Sequence, residues 1–201
     1  MAKAITSEKI RIRSPNGARA SFLELAKPKA FAPGMPEKFK ASFLLDPSDK
    51  VHAEIIADIK AKAAKLLADA GMKKEDMTHP PCFGDGNKKK YEGYANRFYI
   101  GASSDTRIPI VNRNLKPVQE GEPQFPYSGC FINGSITLWL QNNQYGKRIN
   151  ANLLTVQFVG DGDAIGGGAP VDPDDEFEAL GDGPSGGGAS TPSGENDPFD
   201  L

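Results

Sequence analysis

The composition of the chain changes abruptly after residue 160, and this break limits what the chain can fold into. Residues 161–201 contain 11 acidic residues and no lysine or arginine, and they are dominated by glycine, aspartate, proline and serine. Such a segment has too few apolar side chains to bury a core. The sequence therefore predicts one folded domain over residues 1–160 and a disordered, glycine-rich acidic tail over residues 161–201.

The two parts of the chain carry opposite charges. Residues 1–160 hold all 24 lysines and arginines but only 15 of the 26 acidic residues, which gives +9, whereas the tail carries −11. The overall charge of −2 is the near-cancellation of these two values. A basic domain beside an acidic tail predicts that the domain meets a polyanion and that the tail meets proteins or the domain itself.

Two further features indicate the compartment. The first six residues lack the apolar run of a signal peptide, and no later stretch approaches the roughly 18 apolar residues of a membrane span. We therefore expect a cytoplasmic protein without a membrane partner. Cys82 and Cys130 are the two cysteines, and in a reducing compartment we expect both to be free thiols.

Alternation of apolar and charged residues predicts the first strands. In residues 8–13, Ile10 and Ile12 face inward and the opposite face is wholly basic. A turn at residues 14–17 contains Asn-Gly, which predicts a hairpin to a second strand over residues 19–25. Residues 27–36 are predicted as a loop. The outward cations of the first strand are Lys9, Arg11 and Arg13.

A third strand and one helix follow. Residues 37–45 alternate, with Phe39, Ala41 and Phe43 predicted inward and Lys38, Lys40 and Ser42 outward. Asp46 is predicted to cap a helix that has Pro47 at its first position and ends at Gly71. This is the only segment with a convincing helical pattern. Its predicted apolar stripe is Val51, Ile55, Ile59, Ala63, Leu66 and Leu67.

The remainder of the domain is predicted to be strands joined by long loops. Residues 72–91 lose periodicity and indicate a long, mobile, basic loop. Strands are predicted over residues 94–102, 107–112, 134–140 and 149–159, and the last two are joined by a polar hairpin. This order predicts a mainly β fold, an OB-like five-stranded barrel with one helix after the third strand. A β-sandwich and a different barrel are the alternatives.

Two groups of residues point to a ligand with flat rings and negative charge. Trp139 lies on the opposite face of its strand from Ile136, Leu138 and Leu140, so it is predicted to face outward, either to stack on a nucleobase or to pack beneath a loop or the helix. Residues 88–99 interleave cations with four aromatic residues, a combination that suits single-stranded nucleic acid. Alternation requires that either Phe98 or Tyr99 faces the core.

Catalytic signals are weak. His79 and Cys82 are close in sequence, but a zinc site needs two further ligands at a suitable spacing. Residues 84–88 lack the spacing and the hydroxyl of a Walker A loop, and no nucleophile motif is present. We therefore predict a protein that is not an enzyme, with no cofactor, no metal and no catalytic residue.

Together these features resemble those of a known protein family. A basic β-rich domain, a glycine-rich tether and an acidic tip with Asp197-Pro198-Phe199 resemble the phage-encoded single-stranded DNA-binding proteins of OB fold with an acidic C-terminal tail, and the domain is similar in layout to the T7-like phage proteins. In bacterial proteins of this class a terminal Pro-Phe docks into partner proteins. Here Asp200 and Leu201 follow, so Phe199 does not carry the terminal carboxylate.

The resemblance implies sequence-independent binding and protection of single-stranded DNA in phage DNA replication, recombination and repair, in the cytoplasm of the bacterial host. It also implies that the tail recruits phage or host replication proteins. The charge split of +9 and −11 predicts in addition that the tail folds back across the basic surface and competes with DNA. The predicted DNA-binding residues are Lys9, Arg11, Arg13, Phe31, Lys38, Lys40, Lys88, Lys89, Lys90, Tyr91, Tyr94, Arg97, Tyr99, Trp139, Lys147 and Arg148, and the predicted partner-binding residues are Asp197, Pro198, Phe199, Asp200 and Leu201.

Other functions are compatible with the same residues. An RNA-binding OB-type module would share the cations and the aromatic side chains. A phage structural or scaffolding protein would explain the β content and the acidic tail, but not the basic, aromatic outer faces. A recombination nuclease is the enzymatic alternative. The sequence leaves the oligomeric state open, with a homodimer among the alternatives.

Overall fold

Eight strands and one α-helix make up the part of the chain that the structure, a computed structural model, describes. That part comprises residues 5–30 and 32–165. Two short 3-10 helices, Lys74–Asp76 and Gly86–Lys88, lie between the α-helix and β5. The elements are β1 (Ile10–Ile12), β2 (Ala18–Ala30), β3 (Glu37–Leu45), α1 (Lys50–Asp69), β4 (Phe83–Asp85), β5 (Phe98–Ser104), β6 (Ile110–Val111), β7 (Phe131–Asn143) and β8 (Gly146–Gly160).

The chain divides into two units, Met1–Gly167 and Gly168–Leu201. The described residues all belong to the first unit, and the predicted tail lies outside them except for residues 161–165. The predicted domain boundary at residue 160 therefore stays a prediction. Among the described residues, no helix is both long and apolar enough to cross a membrane.

Five of the strands close into a ring. β2 pairs with β3, β3 with β5, and β8 with β7, and β7 returns to β2. These pairs are antiparallel, whereas β5 and β8 join as parallel strands through Ser103 and Asn152. β1, β4 and β6 lie outside the ring against β7, β5 and β8. This mainly β architecture confirms the predicted OB-like fold.

The helix follows the third strand of the chain, as predicted. Because β1 lies outside the ring, the helix follows the second strand within it. Alternation explains which side chains fill the interior: in β3, Phe39, Ala41 and Phe43 are buried as predicted. The buried face of α1 joins the same hydrophobic core through Ile59 and Leu66, so the helix covers apolar side chains of the ring.

The predicted hairpin between the first two strands is wrong. Gly17 does turn the chain, with φ at +71° and its N–H donating to the Ser14 carbonyl at 3.2 Å. However, β1 and β2 both pair with β7, at Ile12 with Gly134 and at Ala18 with Ile132. The chain therefore resumes its direction after the turn, because β7 is long enough to pair with both strands on one edge.

The start of the helix differs from the prediction. The N-cap is Asp49, whose side chain accepts a hydrogen bond from the His52 N–H at 2.9 Å. Asp46 instead accepts from the N–H and hydroxyl of Ser48, in a turn that precedes the helix. The predicted stripe member Val51 is exposed, and His52 and Ile56 are buried instead. The predicted C-terminal glycine, Gly71, is confirmed by its φ of +65°.

Several other predicted boundaries are corrected. Residues 27–30, predicted as a loop, belong to β2, and the predicted loop over residues 72–91 contains β4 and both 3-10 helices. The strands predicted to begin at residues 94 and 107 begin at Phe98 and Ile110. β4 pairs with β5 over three residues, which is too short for any periodic signal. Tertiary pairing sets these boundaries, and a local pattern does not reveal it.

Gly134 lies close to other buried groups inside the ring, and a substitution there tests the packing. A Cβ added at Gly134 in β7 would lie 2.6 Å from Cζ of the fully buried Phe43 and 2.9 Å from the Thr155 carbonyl oxygen. Overpacking of this kind costs about 1–3 kcal/mol. We expect Gly134→Ala to lower the free energy of unfolding by that amount in urea denaturation. Gly160→Ala is the control, because nothing lies within 4 Å of its added Cβ. Equal stability of the two variants would contradict the packing described.

Candidate nucleic-acid interface

Many of the predicted site residues that the structure describes fall on two different outer faces of the ring. Directly opposed residues of antiparallel strands point to the same side, so the pairing of Leu44 with Tyr99 places both on one face. The pairing of Arg11 with Ser135 defines another. We call the outer side of β2, β3 and β5, with Lys38, Lys40, Leu44 and Tyr99, the tyrosine face. We call the outer side of β1, β7 and β8, with Arg11, Ser135, Trp139 and Arg148, the hairpin face.

Four aromatic rings gather on the tyrosine face. Tyr94 is buried, and its ring centroid lies 5.7 Å from that of Tyr99 and 5.4 Å from that of Tyr91. Phe22 approaches Tyr91 at 5.0 Å and Tyr94 at 6.2 Å, edge to face. Phe22 and Tyr91 are 51% and 53% exposed, respectively. Two half-exposed rings therefore rest on a buried ring that is anchored to the sheet.

Phe22 was not predicted from the sequence. It lies where the β2–β3 register shifts, between Ser21 and Glu24, and its φ is +49°. A bulky side chain rarely adopts this left-handed conformation. Alternation from the buried Ala18 and Ala20 would place Phe22 inside, so the irregularity turns the ring outward. The shift arises from pairing with β3, and we find no local sequence signal for it.

Tyr94 is held as a neutral group. Burial raises the pKa of its phenol, and hydrogen bonding involving Ser21 and Ser42 opposes the rise only in part. Its ring packs in a small apolar cluster with Leu44 and Ile165. The Ile165 N–H donates to the Ser128 carbonyl at 2.9 Å. The last described residue is therefore fastened beneath the tyrosine face.

Several predicted cations of this region already have partners. Lys38 forms an ion pair with Asp105 at 3.0 Å, and Lys89 lies 5.3 Å from the centre of the Tyr99 ring. Arg97 forms an ion pair with Asp46 at 3.1 Å. Hydrogen bonds from Ser48, with a smaller contribution from Arg97, lower the pKa of Asp46. A phosphate that reaches these cations would have to exchange with existing partners.

Trp139 lies on the hairpin face. It is half-buried, and it faces away from the buried Leu138 and Leu140, so its predicted outward placement is confirmed. Asn150 is its partner on β8 and donates to the Gln141 side-chain oxygen at 3.2 Å. Arg148 donates from Nε to the Asn150 side-chain oxygen at 2.5 Å. Its side chain is thus held on the same face as the tryptophan.

The remaining predicted residues are dispersed. Lys88 and Lys90 are exposed beside Lys89. Lys147 is fixed through its main chain, whose N–H donates to the Thr78 hydroxyl at 2.8 Å, and it points to the opposite side of β8 from Arg148. Lys9, Arg11 and Arg13 are exposed on the hairpin face. As predicted, Phe98 is buried and Tyr99 faces out. Phe31 and the five tail residues lie outside the described residues.

Both cysteines lie in the part of the chain that the structure describes. Cys82 and Cys130 are free thiols, as predicted, and burial raises their pKa values to about 12 and about 11. Both are therefore protonated and unreactive at neutral pH. Within residues 5–30 and 32–165, no three histidine, cysteine or acidic side chains come together to hold a metal ion.

The chain matches the family model described as "Enterobacter phage Enc34, ssDNA-binding protein" over residues 10–185. It belongs to this family, and the predicted resemblance to phage-encoded single-stranded DNA-binding proteins is confirmed. A curated relative, the putative protein p50 of Acyrthosiphon pisum secondary endosymbiont phage 1, is 33% identical over 176 residues, which cover 82% of this chain and 91% of the relative.

Two solved structures of the phage Enc34 single-stranded DNA-binding protein share the fold. One aligns with a TM-score of 0.64 at 23% identity and covers 88% of this chain and 100% of that one. The other, determined in complex with single-stranded DNA, aligns with a TM-score of 0.65 at 23% identity and covers 83% of this chain and 100% of that one.

The backbone at Phe22 generates a prediction. The left-handed conformation costs a residue with a Cβ about 1–2 kcal/mol, and glycine loses part of this advantage through its more flexible unfolded chain. We expect Phe22→Gly to be more stable than Phe22→Ala by about 1 kcal/mol in urea denaturation. At Lys27, an exposed β2 residue with ordinary φ, the order should reverse. If glycine brings no gain at position 22, the strained conformation described is wrong.

Proposed function

We propose that this protein binds single-stranded DNA without sequence preference and protects it during phage DNA replication, recombination and repair in the cytoplasm of the bacterial host. The observation that carries the proposal is the pair of half-exposed rings, Phe22 and Tyr91, on the outer face of an OB-like ring. OB folds bind oligonucleotides on the face formed by the second and third ring strands, which are β3 and β5 in this chain. Membership of the Enc34 family supports the same conclusion.

The tyrosine face supplies both interactions that single-strand binding requires. Stacking of a base on an aromatic side chain contributes about 1–3 kcal/mol and tolerates any base, and Phe22 and Tyr91 offer exposed rings for it. Lys38, Lys40 and Lys89 supply positive charge around those rings. Because Lys38 exchanges Asp105 for a phosphate and counterions leave the DNA, binding should weaken steeply as salt rises.

The first experiment measures fluorescence anisotropy of a labelled single-stranded oligonucleotide titrated with the full chain at low and moderate salt. A duplex of the same length and a single-stranded RNA serve as competitors. Tight, salt-sensitive binding that varies little among DNA sequences supports the proposal. Equal affinity for the duplex would reduce the domain to a general polyanion surface, and preference for RNA would favour an RNA-binding module.

Phe22 provides the direct test of the tyrosine face. Removal of its ring should remove one stacking contact, so Phe22→Ala should weaken single-strand binding about tenfold or more, measured by anisotropy at fixed salt. Leu115→Ala is a matched control, because Leu115 is also exposed, apolar and at positive φ, but lies between β6 and β7. Equal affinity of the two variants would remove Phe22 from the site.

We further propose that the acidic tail competes with DNA and presents its tip to phage or host replication proteins. Two features support this proposal: the negative charge of the tail and the place at which the tail is attached to the domain. Nine acidic residues follow Gly167, and Ile165, just before them, packs against Tyr94 and Leu44 of the tyrosine face. Negative charge tethered at this point would oppose an approaching phosphate chain. Occupancy by DNA would then free the tip with Phe199 for a partner.

Truncation after Gly167 tests the competition. This end point keeps Ile165 in its cluster, which truncation after Gly160 would not. We expect higher affinity for single-stranded DNA at low salt, with the gain shrinking as salt screens the tail. A tail of the same length with its nine acids replaced by amides should behave like the truncation, whereas Phe199→Ala should keep the competition and lose capture of replication proteins. Unchanged affinity after truncation at low salt would refute the competition.

A further inference from the structure

The hairpin face combines positive charge with an absence of acids. β7, β8 and the turn between them, residues 131–160, contain no aspartate or glutamate. Arg148 lies on their outer side, and Arg11 of β1 lies opposite Ser135. Lys9 and Arg13 flank β1 with the same outward parity. In this part of the described structure, a row of cations therefore meets no acidic side chain along the two strands beside it.

Three cations of the hairpin face, Lys9, Arg11 and Arg13, are also uncommitted. Among the described residues, no ion pair or side-chain hydrogen bond engages the charged groups of Lys9, Arg11 or Arg13. On the tyrosine face, by contrast, Lys38 is paired with Asp105 and Lys29 with Glu24. An anion that reaches β1 would displace water and counterions alone. Three cations that are available for a ligand thus lie together on the hairpin face, apart from the main aromatic cluster.

A recess of about 350 Å³ lies at one end of this row, and no acidic residue lines it. Arg13 and Arg113 are among the residues that line it. The amide of Asn133 is held by the Ser14 N–H at 3.0 Å and by Gln157 at 3.3 Å. These amides are satisfied internally, so the two arginines are the groups left to meet an anion. Guanidinium pairs suit phosphate because they donate in a planar fork.

Trp139 indicates which polyanion fits. It lies on the same side of β7 as Ser135 and Asn133, at the opposite end of the row from the recess. Six residues of strand separate it from Asn133, which is roughly 20 Å. An acidic peptide would need only the cations. A row that has a flat, half-buried ring at one end and two arginines at the other suits a strand that carries both bases and phosphates.

We propose that the hairpin face is a second contact surface for single-stranded nucleic acid, which a strand too long for the tyrosine face reaches after that face is filled. The inference rests on the proposed function and extends it. The tyrosine face and the hairpin face lie on different strands of the ring, so an oligonucleotide of a few nucleotides cannot cover both faces. A longer strand would follow the outside of the ring.

The first test uses Trp139, the single tryptophan of the chain, as a reporter of the hairpin face. The full chain is titrated with single-stranded DNA of about 6 and about 30 nucleotides, lengths that lie near and beyond the site sizes of one OB fold. Anisotropy reports binding, and selectively excited tryptophan fluorescence reports the face. We expect both oligonucleotides to bind, and only the longer one to quench Trp139.

The second test removes the charge. We expect Arg11→Ala combined with Arg13→Ala to lower affinity for the long oligonucleotide about tenfold and to leave the short one unchanged. The slope of log affinity against log salt should fall by about 1.4 for the long strand, since each lost phosphate contact removes about 0.7. Lys50→Ala combined with Lys74→Ala is the control of equal charge, because both residues are exposed on or after α1, outside the hairpin face.

The outcomes separate this inference from the proposed function. Failure of both oligonucleotides to bind would overturn both proposals. Binding of the long strand alone would keep the function and overturn the division into a first and a second surface. Binding of both lengths with Trp139 unchanged, or equal behaviour of the two double variants, would overturn the second surface and keep the function. Quenching by the short strand would make the hairpin face the primary site and overturn the assignment. Quenching by a peptide of residues 168–201 without DNA would assign the face to the chain's own tail instead.

Discussion

The pairing of β7 with β2 on one edge and with β8 on the other is the interaction on which the rest of the structure depends. β8 follows β7 along almost its full length, and two residues of β2 pair with its other edge, at Ala18 and Arg19. β5 and β8 join at a single residue pair, so continuity of the ring relies on β7. Closure buries the side chains of one set of positions and turns the alternate set outward. Both candidate faces exist because of that closure.

The alternation of apolar and polar residues was sufficient to predict strand bounds and side-chain direction wherever buried and exposed positions alternate regularly along one strand. The bounds of β3, the inward Phe39 and Phe43 and the outward Trp139 all follow from alternation. Where contacts between distant segments of the chain determine the structure, the sequence pattern was not sufficient to predict it. β4 is too short to show a period, and β1 and β2 share an edge of β7. Asp49 caps the helix, whereas Asp46 accepts hydrogen bonds from Ser48. Phe22 faces outward because of a register shift that only its partner strand defines.

The net charge of the domain could be counted from the sequence, but which cations are free to bind a ligand could not. Lys38 and Arg13 count equally toward the +9 of residues 1–160. In the fold, Lys38 is paired with Asp105, whereas among the described residues Arg13 has no acidic neighbour in a recess that it shares with Arg113. The distinction arises because Asp105 reaches the tyrosine face from beyond the end of β5. A sum over residues cannot report which cations are already neutralised.

At Phe22 the main chain determines where a ligand is contacted, and the side chain determines the chemistry of that contact. Its direction is set by a main-chain irregularity in β2, and a side-chain rotamer only refines it. A different side chain at this position would therefore project from the same point of the tyrosine face. An amide there would offer hydrogen bonds, and a cation would offer charge, in the place now held by a ring. The ligand preference of this ring could thus diverge through one residue while its strands stay unchanged.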